Sequence, residues 1–526
     1  MQKDFVLATL TATYQHPSLG LRYLYANLQE LQSRAIIREY TIKQGALAIV
    51  EDLLAHAPKV IGFGIYIWNR HQTLQVLEIL RKVSPKTQIV LGGPEVSHET
   101  EGQDLLKYAD YVICGEADQA FYELLKTLDH RVDAGNVEPA KILRPLLPNV
   151  EKIQLPYNLY SDHDIQTRHI YVEASRGCPF KCEYCLSSLD TKVRNFPIDE
   201  FLHELDQLIL RGARSFKFID RTFNLSMVTC SKILGFFLEK VSLGLFLHFE
   251  MVPDRLPVEI KELIAKFPAG ALQFEVGIQT LNPVVAKNIS RRTDLPKAKE
   301  NFEFLRSQPG VHIHADLIVG LPGETLESFA RGFDELHSWG PQEIQVGILK
   351  RLKGTPIIRH DQDFGMTYSE VQPFQILQTK DLSFSDVVFM TKFAKYWDLF
   401  ANSGRFPGFV SEMETQAVQS ASKSLFEVWE KFANFLNLRF AEAHSISLEN
   451  QALAARDFLI SLSGEDGEER ASEILRRDYQ VSQPSKTPRF LKIKTSSDAE
   501  PDLSTYSGTA RQKRRQSFIL RDPLPI

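Results

Sequence analysis

Cys178, Cys182 and Cys185 lie within Gly177-Cys-Pro-Phe-Lys-Cys-Glu-Tyr-Cys185. Their CxxxCxxC spacing puts three thiolates on one short loop able to wrap a single cuboidal iron–sulfur cluster, for which thiolate is a fitting soft ligand. A 4Fe–4S cluster has four irons, so one is left without a cysteine in this motif and is open to a small molecule. Chemistry would happen at that open position. Two other readings stay open on spacing alone. One is a structural zinc site completed by a distant His or one of the remaining cysteines. The other is a set of buried thiols, since free Cys packs well in cores.

The elements around the loop narrow the choice. The triplet follows an expected strand over 169–174 and a Ser-Arg-Gly turn, and the aromatic Tyr184 immediately precedes the last cysteine. At this point the sequence resembles the radical S-adenosylmethionine superfamily, whose defining loop has the form CxxxCx(aromatic)C after the first barrel strand. Further strands are expected over 215–220, 246–251, 272–278, 312–319 and 343–349, separated by amphipathic helices. Six βα units form a partial (β/α)6 TIM-type barrel, with its site at the carboxyl ends of the strands. The resemblance implies a 4Fe–4S cluster on the three cysteines and S-adenosylmethionine chelating the open iron. Tyr184 would present an aromatic surface or backbone group to adenine, Asp220 would accept from the ligand ammonium, and Glu250 would bond ribose hydroxyls. Gln279 matches the family's Gly-Ile-Gln segment, Arg292 would meet the ligand carboxylate, and Asp316 with Gly320-Leu-Pro-Gly-Glu-Thr325 resembles the segment beside adenine. Caps, turns and solvated side chains compete with several of these roles.

The first 136 residues alternate strands, expected over 5–10, 36–42, 60–68, 88–91 and 111–114, with helices over 18–31, 46–57 and 71–83. That alternation implies a Rossmann-like (flavodoxin-like) parallel sheet with right-handed crossovers, and ligands bind beyond the carboxyl ends of such strands. Gly64, Tyr66, Gly92, Gly93 and Pro94 stand at strand ends, with Thr13-Tyr-Gln-His-Pro-Ser-Leu-Gly20 after the first strand. The set resembles the cobalamin-binding domain ahead of many radical cores, as in the anaerobic magnesium-porphyrin cyclase class. By that resemblance, Gly92, Gly93 and Pro94 border the cobalamin nucleotide tail, Ser18, Leu19 and Gly20 approach the corrin, and Gly64, Tyr66, Gly115 and Glu116 at the strand ends also contact cobalamin. Methionine-synthase-like domains carry DxHxxG, whose His ligates cobalt. Here Tyr14-Gln-His16 lacks the Asp and Gly20 comes one position late, so cobalamin is expected without a protein imidazole, with His16 at the corrin edge or the domain interface.

The domains are therefore expected at 1–136 for cobalamin, 137–163 as linker, 164–382 for the radical core and 383–526 as a mainly helical extension. Helices are expected over 385–400 and 416–438, with a charged loop over 463–469 and a basic run at 511–515. The extension is assigned to substrate enclosure by its position. The formal net charge of −5 argues against a nucleic-acid binder. Three of five cysteines in one loop do not form a disulfide framework, and a cluster favours the reducing cytoplasm. No apolar run is long enough for a membrane span.

As the resemblance implies, an electron donor such as flavodoxin or ferredoxin reduces the cluster. Cleavage of S-adenosylmethionine then gives a radical that abstracts hydrogen, and cobalamin passes a methyl group to the substrate radical. A C-methyltransferase acting on an unactivated carbon of a small molecule or peptide is the leading expectation. Cyclisation or rearrangement with the same cofactors is the alternative, and a non-catalytic cobalamin- or cluster-binding sensor is the alternative of another class. A methylthiotransferase would carry three further cysteines in its first domain, where only Cys114 occurs.

Overall fold

The computed structural model describes residues 2–129, 140–440, 446–463, 467–482 and 488. The basic run at 511–515 and part of the charged loop over 463–469 lie outside them. The first sheet comprises Phe5–Thr11, Ala35–Thr41, Val60–Gly64, Gln88–Gly92, Tyr111–Ile113 and Ile142–Leu143, all parallel, in the order 2-1-3-4-5-6. Every residue of Phe5–Thr11 is buried, because helices cover both faces of the sheet. Val6, Ala8 and Leu10 enter one apolar cluster, while Phe5 and Leu7 enter another on the opposite face. The sixth strand, Ile142–Leu143, falls in the segment expected to be linker. At two residues it is too short to show a period.

The second sheet runs Ile170–Val172, Ser215–Phe218, Phe246–Met251, Leu272–Gln279, Val311–Val319 and Glu343–Ile348, parallel and in chain order. Its first and last strands do not pair with each other, so the barrel is open. Outward residues such as Phe216, Phe218, Leu247, Phe249, Phe274 and Ile313 are buried beneath helices. The inward residues are polar and lie in register: Tyr171 beside Lys217, Lys217 beside His248, Glu250 beside Glu275, and Gly277 beside Asp316. A closed barrel would fill this interior with layers of branched apolar residues. Here the lining is suited to a polar ligand.

The carboxy-terminal helices Phe384–Trp397, Pro407–Gln419, Leu425–Arg439, Leu448–Ser463 and Glu468–Ser482 share the barrel's apolar cluster. The single helix expected over 416–438 is two. Ser420-Ala-Ser-Lys-Ser424 breaks it, and the Ser424 hydroxyl caps the second helix by accepting from the Glu427 N–H. The extension covers the barrel's exposed edge. Asn402 accepts from the Ile344 N–H at 3.0 Å and donates to its carbonyl at 2.9 Å, completing the last strand with a side chain. On the neighbouring helix, Asp334 accepts from Ser424 Oγ at 2.6 Å and from the Phe426 N–H at 2.7 Å.

The two α/β units meet through charge. Arg22 and Arg168 share Glu39 and Asp164, all nearly buried. Lys353 pairs with the buried Glu95 at 2.6 Å, and Arg351 with Glu99 at 3.2 Å. No described helix is long and apolar enough to cross a membrane.

Replacing Asn402 with Ala leaves the buried Ile344 amide and carbonyl unpaired. The expected cost is about 1–3 kcal/mol, seen as an earlier denaturant midpoint. An unchanged midpoint would refute the edge-sealing role.

Candidate functional site

The cysteine loop is built for close quarters. Ser175–Arg176 pairs antiparallel with Arg194–Asn195 and closes the loop at its base. Gly177 has φ +89°, and a Cβ there would lie 2.4 Å from the Lys192 carbonyl, so no larger residue fits. The Cys178 N–H donates to the Asp190 carbonyl at 2.9 Å, and the Cys185 N–H to the Cys182 carbonyl at 3.1 Å. All three thiols are free; Cys178 is buried and the other two are half-buried. Among the described residues, no three Cys, His, Asp or Glu side chains converge on a single-ion position. Three soft thiolates on one loop do fit a cluster.

Glu183, between two of the cysteines, anchors the loop. Its buried carboxylate accepts from His360 Nε2 at 2.9 Å and from Arg359 and Ser290. Its backbone donates to the Ile289 carbonyl at 3.1 Å and accepts from the Ile357 N–H at 3.0 Å. Sequence reasoning passed over Glu183, since one acid among cysteines carries no distinctive signal.

Beside the loop opens a cavity of about 720 Å³, whose wall includes all three cysteines, Tyr184, Glu250, Gln279, Arg292 and Asp316. Arg291 crosses the wall. It donates to Tyr184 Oη at 3.3 Å and to the Gly277 carbonyl, and reaches Cys182 Sγ at 3.6 Å. Arg291 was missed because it adjoins Arg292. The backbone turn at Ser290, with φ +55°, precedes the pair, and Arg291 is the inward member while Arg292 is exposed. Burial pushes the Glu250 carboxyl up to about 7, with Arg221 opposing, and raises Asp316 as well. His248 and Lys217 overcome burial at Glu275 and hold it well below the usual carboxylate range.

The wall fits S-adenosylmethionine. Gln279 Oε1 is buried with no hydrogen-bond partner in the protein, and a buried unpaired acceptor requires a donor, while Asp316 Oδ1 lies 3.4 Å from His314 Nε2. The ligand's ammonium, ribose hydroxyls and exocyclic amine are donors, and its carboxylate matches the arginines. Two expected contacts lie elsewhere. Asp220 sits beneath the loop, accepting from the Ala174 N–H at 2.9 Å and from Ser175 Oγ at 2.6 Å, and burial raises it to about 6. It braces the loop and does not line the cavity. Gly320, with φ +90°, shapes a turn where a Cβ would meet Ile376 at 2.6 Å. No residue beyond 316 lines the cavity, so the helical extension, expected to enclose substrate, lies outside this wall.

At the first sheet, the loops after strands one and three diverge at the switch point of the strand order. Ser18 caps the helix Leu19–Ala26, and its N–H donates to Glu39. A Cβ on Gly20 would meet only Tyr66 Oη, at 3.4 Å, and Tyr66 stacks on the exposed Trp68 at 4.5 Å. Gly64 accepts from Thr9 and Asn69 through its carbonyl. Gly92 faces only the Ile113 carbonyl at 3.7 Å, and Gly115, φ +85°, has nothing within 4 Å of a Cβ. These open strand ends with flat aromatic walls fit a corrin and its tail. Other expected contacts serve the protein. Gly93, φ +98°, allows close approach to the Ile65 carbonyl at the start of the short helix opened by Pro94. Leu19 is buried in the barrel's cluster. The Glu116 carboxylate is held by Arg176 and Arg194, which keep it charged against burial. His16 Nδ1 lies 2.6 Å from Tyr171 Oη, at the domain interface, and burial favours its neutral form.

Substituting Glu183 with Ala frees the loop from its anchor. The expected result is about tenfold or more weaker metal retention after anaerobic reconstitution, measured as iron per chain during chelator challenge, with unchanged circular dichroism. Iron retention equal to wild type would sink the anchoring role.

Models of known families match three stretches: the B12 binding domain over residues 6–125, the radical SAM superfamily over 172–336, and a protein family of unknown function, DUF4080, over 362–520. An uncharacterized methyltransferase, PH0819, of Pyrococcus horikoshii is 25% identical over 333 residues, 59% of this chain and 71% of that protein. The ribosomal protein uS12 methylthiotransferase RimO of Nitratiruptor is 26% identical over 174 residues, only 39% of its own length. The radical S-adenosylmethionine methyltransferase TsrM of Kitasatospora setae, solved with cobalamin and a [4Fe-4S] cluster, superposes with a TM-score of 0.56 over 71% of this chain and 82% of that one, at 15% identity. Its complex with tryptophan and an S-adenosylmethionine analogue gives the same TM-score at 16% identity. With the two domain matches in this order and the thiols, cavity and strand ends in place, the chain carries a B12-binding domain followed by a radical S-adenosylmethionine domain.

Proposed function

We propose that the chain is a cobalamin-dependent radical methyltransferase that methylates an unactivated carbon of a small molecule in a reducing cytoplasm. One observation carries the reading: three free thiols and the unpartnered buried acceptor of Gln279 line one cavity, while the B12-binding domain is fastened to both ends of the same cysteine loop. When bound, the cluster and S-adenosylmethionine supply a hydrogen-abstracting radical, and cobalamin supplies a methyl carrier. Cys178, Cys182 and Cys185 would hold the cluster. Tyr184, Glu250, Gln279, Arg291, Arg292 and Asp316 would hold S-adenosylmethionine. Ser18, Gly20, Gly64, Tyr66, Gly92 and Gly115 would border the corrin and its tail.

The chain's own work is orientation and exclusion of water. Arg291 fixes the loop against the fourth barrel strand by linking Cys182 and Tyr184 to Gly277. Glu250, raised to about 7 by burial, can hold or accept a proton at its carboxylate near neutral pH. PH0819 and TsrM are both described as methyltransferases, which supports methyl transfer over cyclisation.

The test is anaerobic purification with iron, sulfide and hydroxocobalamin added. The expected outcome is about four irons per chain and retained cobalamin, with 5′-deoxyadenosine and S-adenosylhomocysteine formed together from S-adenosylmethionine under reduction. Deoxyadenosine without homocysteine product would indicate cyclisation. A triple Cys178→Ala, Cys182→Ala, Cys185→Ala variant should lose iron and keep cobalamin; loss of both would refute independent sites.

A further inference from the structure

A strap leaves the barrel after its sixth strand and returns across the first domain. Its two ends are joined to each other. The Arg351 N–H donates to the Phe374 carbonyl at 2.9 Å, the Ile376 N–H donates to the Leu349 carbonyl at 2.8 Å, and Thr367–Tyr368 pairs antiparallel with Ile376–Gln378. Between these ends the chain passes the cysteine loop, where Arg359 and His360 hold Glu183. It then turns at Gln372 against the segment that follows the third strand of the first sheet. Gln372 Nε2 donates to the Trp68 carbonyl at 2.8 Å, and Gln372 Oε1 accepts from the His71 N–H at 2.8 Å. Only one orientation of the amide satisfies both bonds.

The segment over 65–71 needs this outside partner. Asn69 stands at the N-cap of the helix Arg70–Val83, where an Asn side chain ordinarily bonds a first-turn N–H, and here it does not. It donates instead to the Leu10 and Gly64 carbonyls, each at 3.0 Å, and accepts from the Tyr66 N–H at 2.8 Å. The first turn of the helix is left without that cap, and Gln372 supplies an acceptor from 301 residues away. Phe374 adds a second hold. Its φ of +56° is rare for a bulky residue, and its ring centre lies 5.8 Å from the Arg70 guanidinium and 5.2 Å from Lys353 Nζ. Both cations pair with the buried Glu95, on the short helix after Gly93. The strap therefore grips the loops after strands three and four of the first sheet. For joining two domains the ion pairs at Glu95 and Glu99 would suffice, whereas the Gln372 amide bonds the backbone of the aromatic loop itself.

We propose that Gln372 is a positioning residue for cobalamin: by holding the Trp68 carbonyl and the His71 N–H, it fixes the loop whose stacked Tyr66 and Trp68 rings wall the corrin. The inference rests on the reading that the open strand ends of the first sheet take cobalamin. Trp68 is tied on its other side through Nε1, which donates to the Leu10 carbonyl at 3.2 Å. With both ties in place the wall is ordered before the ligand arrives. Without the tie to Gln372 the loop must be ordered on binding, which lowers the affinity.

The test is equilibrium dialysis of hydroxocobalamin against the full chain, purified anaerobically and reconstituted with iron and sulfide. Gln372→Ala should bind cobalamin about fivefold more weakly, with iron per chain unchanged. Gln372→Glu separates the two bonds, since a carboxylate still accepts from the His71 N–H but cannot donate to the Trp68 carbonyl. It should bind as weakly as Gln372→Ala. Wild-type affinity in Gln372→Ala overturns the proposal. Wild-type affinity in Gln372→Glu overturns it as well, assigning Gln372 to capping the helix alone, and so does a parallel loss of iron, which marks a general loosening of the fold. Hydrogen exchange on the unsubstituted chain needs no variant. Added hydroxocobalamin should slow exchange over both 65–71 and 370–376, and protection confined to the first segment overturns the proposal. A wild-type chain that retains no cobalamin refutes the corrin reading itself, before Gln372 is altered.

Discussion

The arginine clamp at the base of the cysteine loop is the interaction on which the arrangement of the two halves depends. Arg176 pairs with Glu116 at 2.9 Å, Asp118 at 2.8 Å and Glu173 at 2.9 Å, while Arg194 holds Glu116 and Asp190. These side chains are mostly buried, so each charge has lost most of its water and is stable only while its partners stay in place. Four carboxylates face two guanidinium groups, an excess of negative charge. Burial raises Glu173 to about 7 despite Arg176, which lets one proton relieve the excess near neutral pH. A buried ion cluster adds little to stability over an apolar contact but defines one geometry. Here that geometry ties the end of the first sheet's fifth strand to both ends of the loop bearing the thiols.

The open barrel follows a related logic. Its outward faces are as apolar as in any α/β protein, and its helices cover them. Its inward faces carry Tyr171, Lys217, His248, Glu250, Glu275 and Asp316; burial raises Glu250 and Asp316, while His248 and Lys217 hold Glu275 low. A polar interior cannot close on itself without leaving these groups dry and unmatched. The barrel therefore stays open and holds a cavity. The exposed edge that openness creates is met by Asn402 and the helices behind it. Opening on one side and sealing on the other are two consequences of the same inward residues.

Much of this was legible in the sequence because the signals were local. The cysteine spacing, the runs of strand residues and the glycines at strand ends each depend on a few neighbouring positions. The readings that failed depend on contacts distant in sequence. Asp220 and Glu250 both stand near strand ends, yet only the fold sends one beneath the loop and the other into the cavity. Arg291 and Arg292 are equivalent as letters, and a left-handed residue before them decides which turns inward. Glu116 looked like a ligand contact because it follows a strand-end glycine, but its partners come from positions 176 and 194. Gly93 and Gly320 required glycine for packing against Ile65 and Ile376, a need no different in sequence from room for a ligand.

His16 shows how far the two units are joined beyond the clamp. It stands on the loop after the first strand, where related domains place a cobalt ligand, and here its ring is bonded to Tyr171. Tyr171 belongs to the first barrel strand, in register with Lys217, which in turn neighbours His248 and pairs with Glu275. One continuous polar row thus runs from the B12-binding loop into the lining of the cavity. Moving His16 to a ligand would break its bond to Tyr171 and disturb the first member of that row. The clamp and this row both join the first domain to the barrel, so the two units are held together at more than one place by the protein's own side chains.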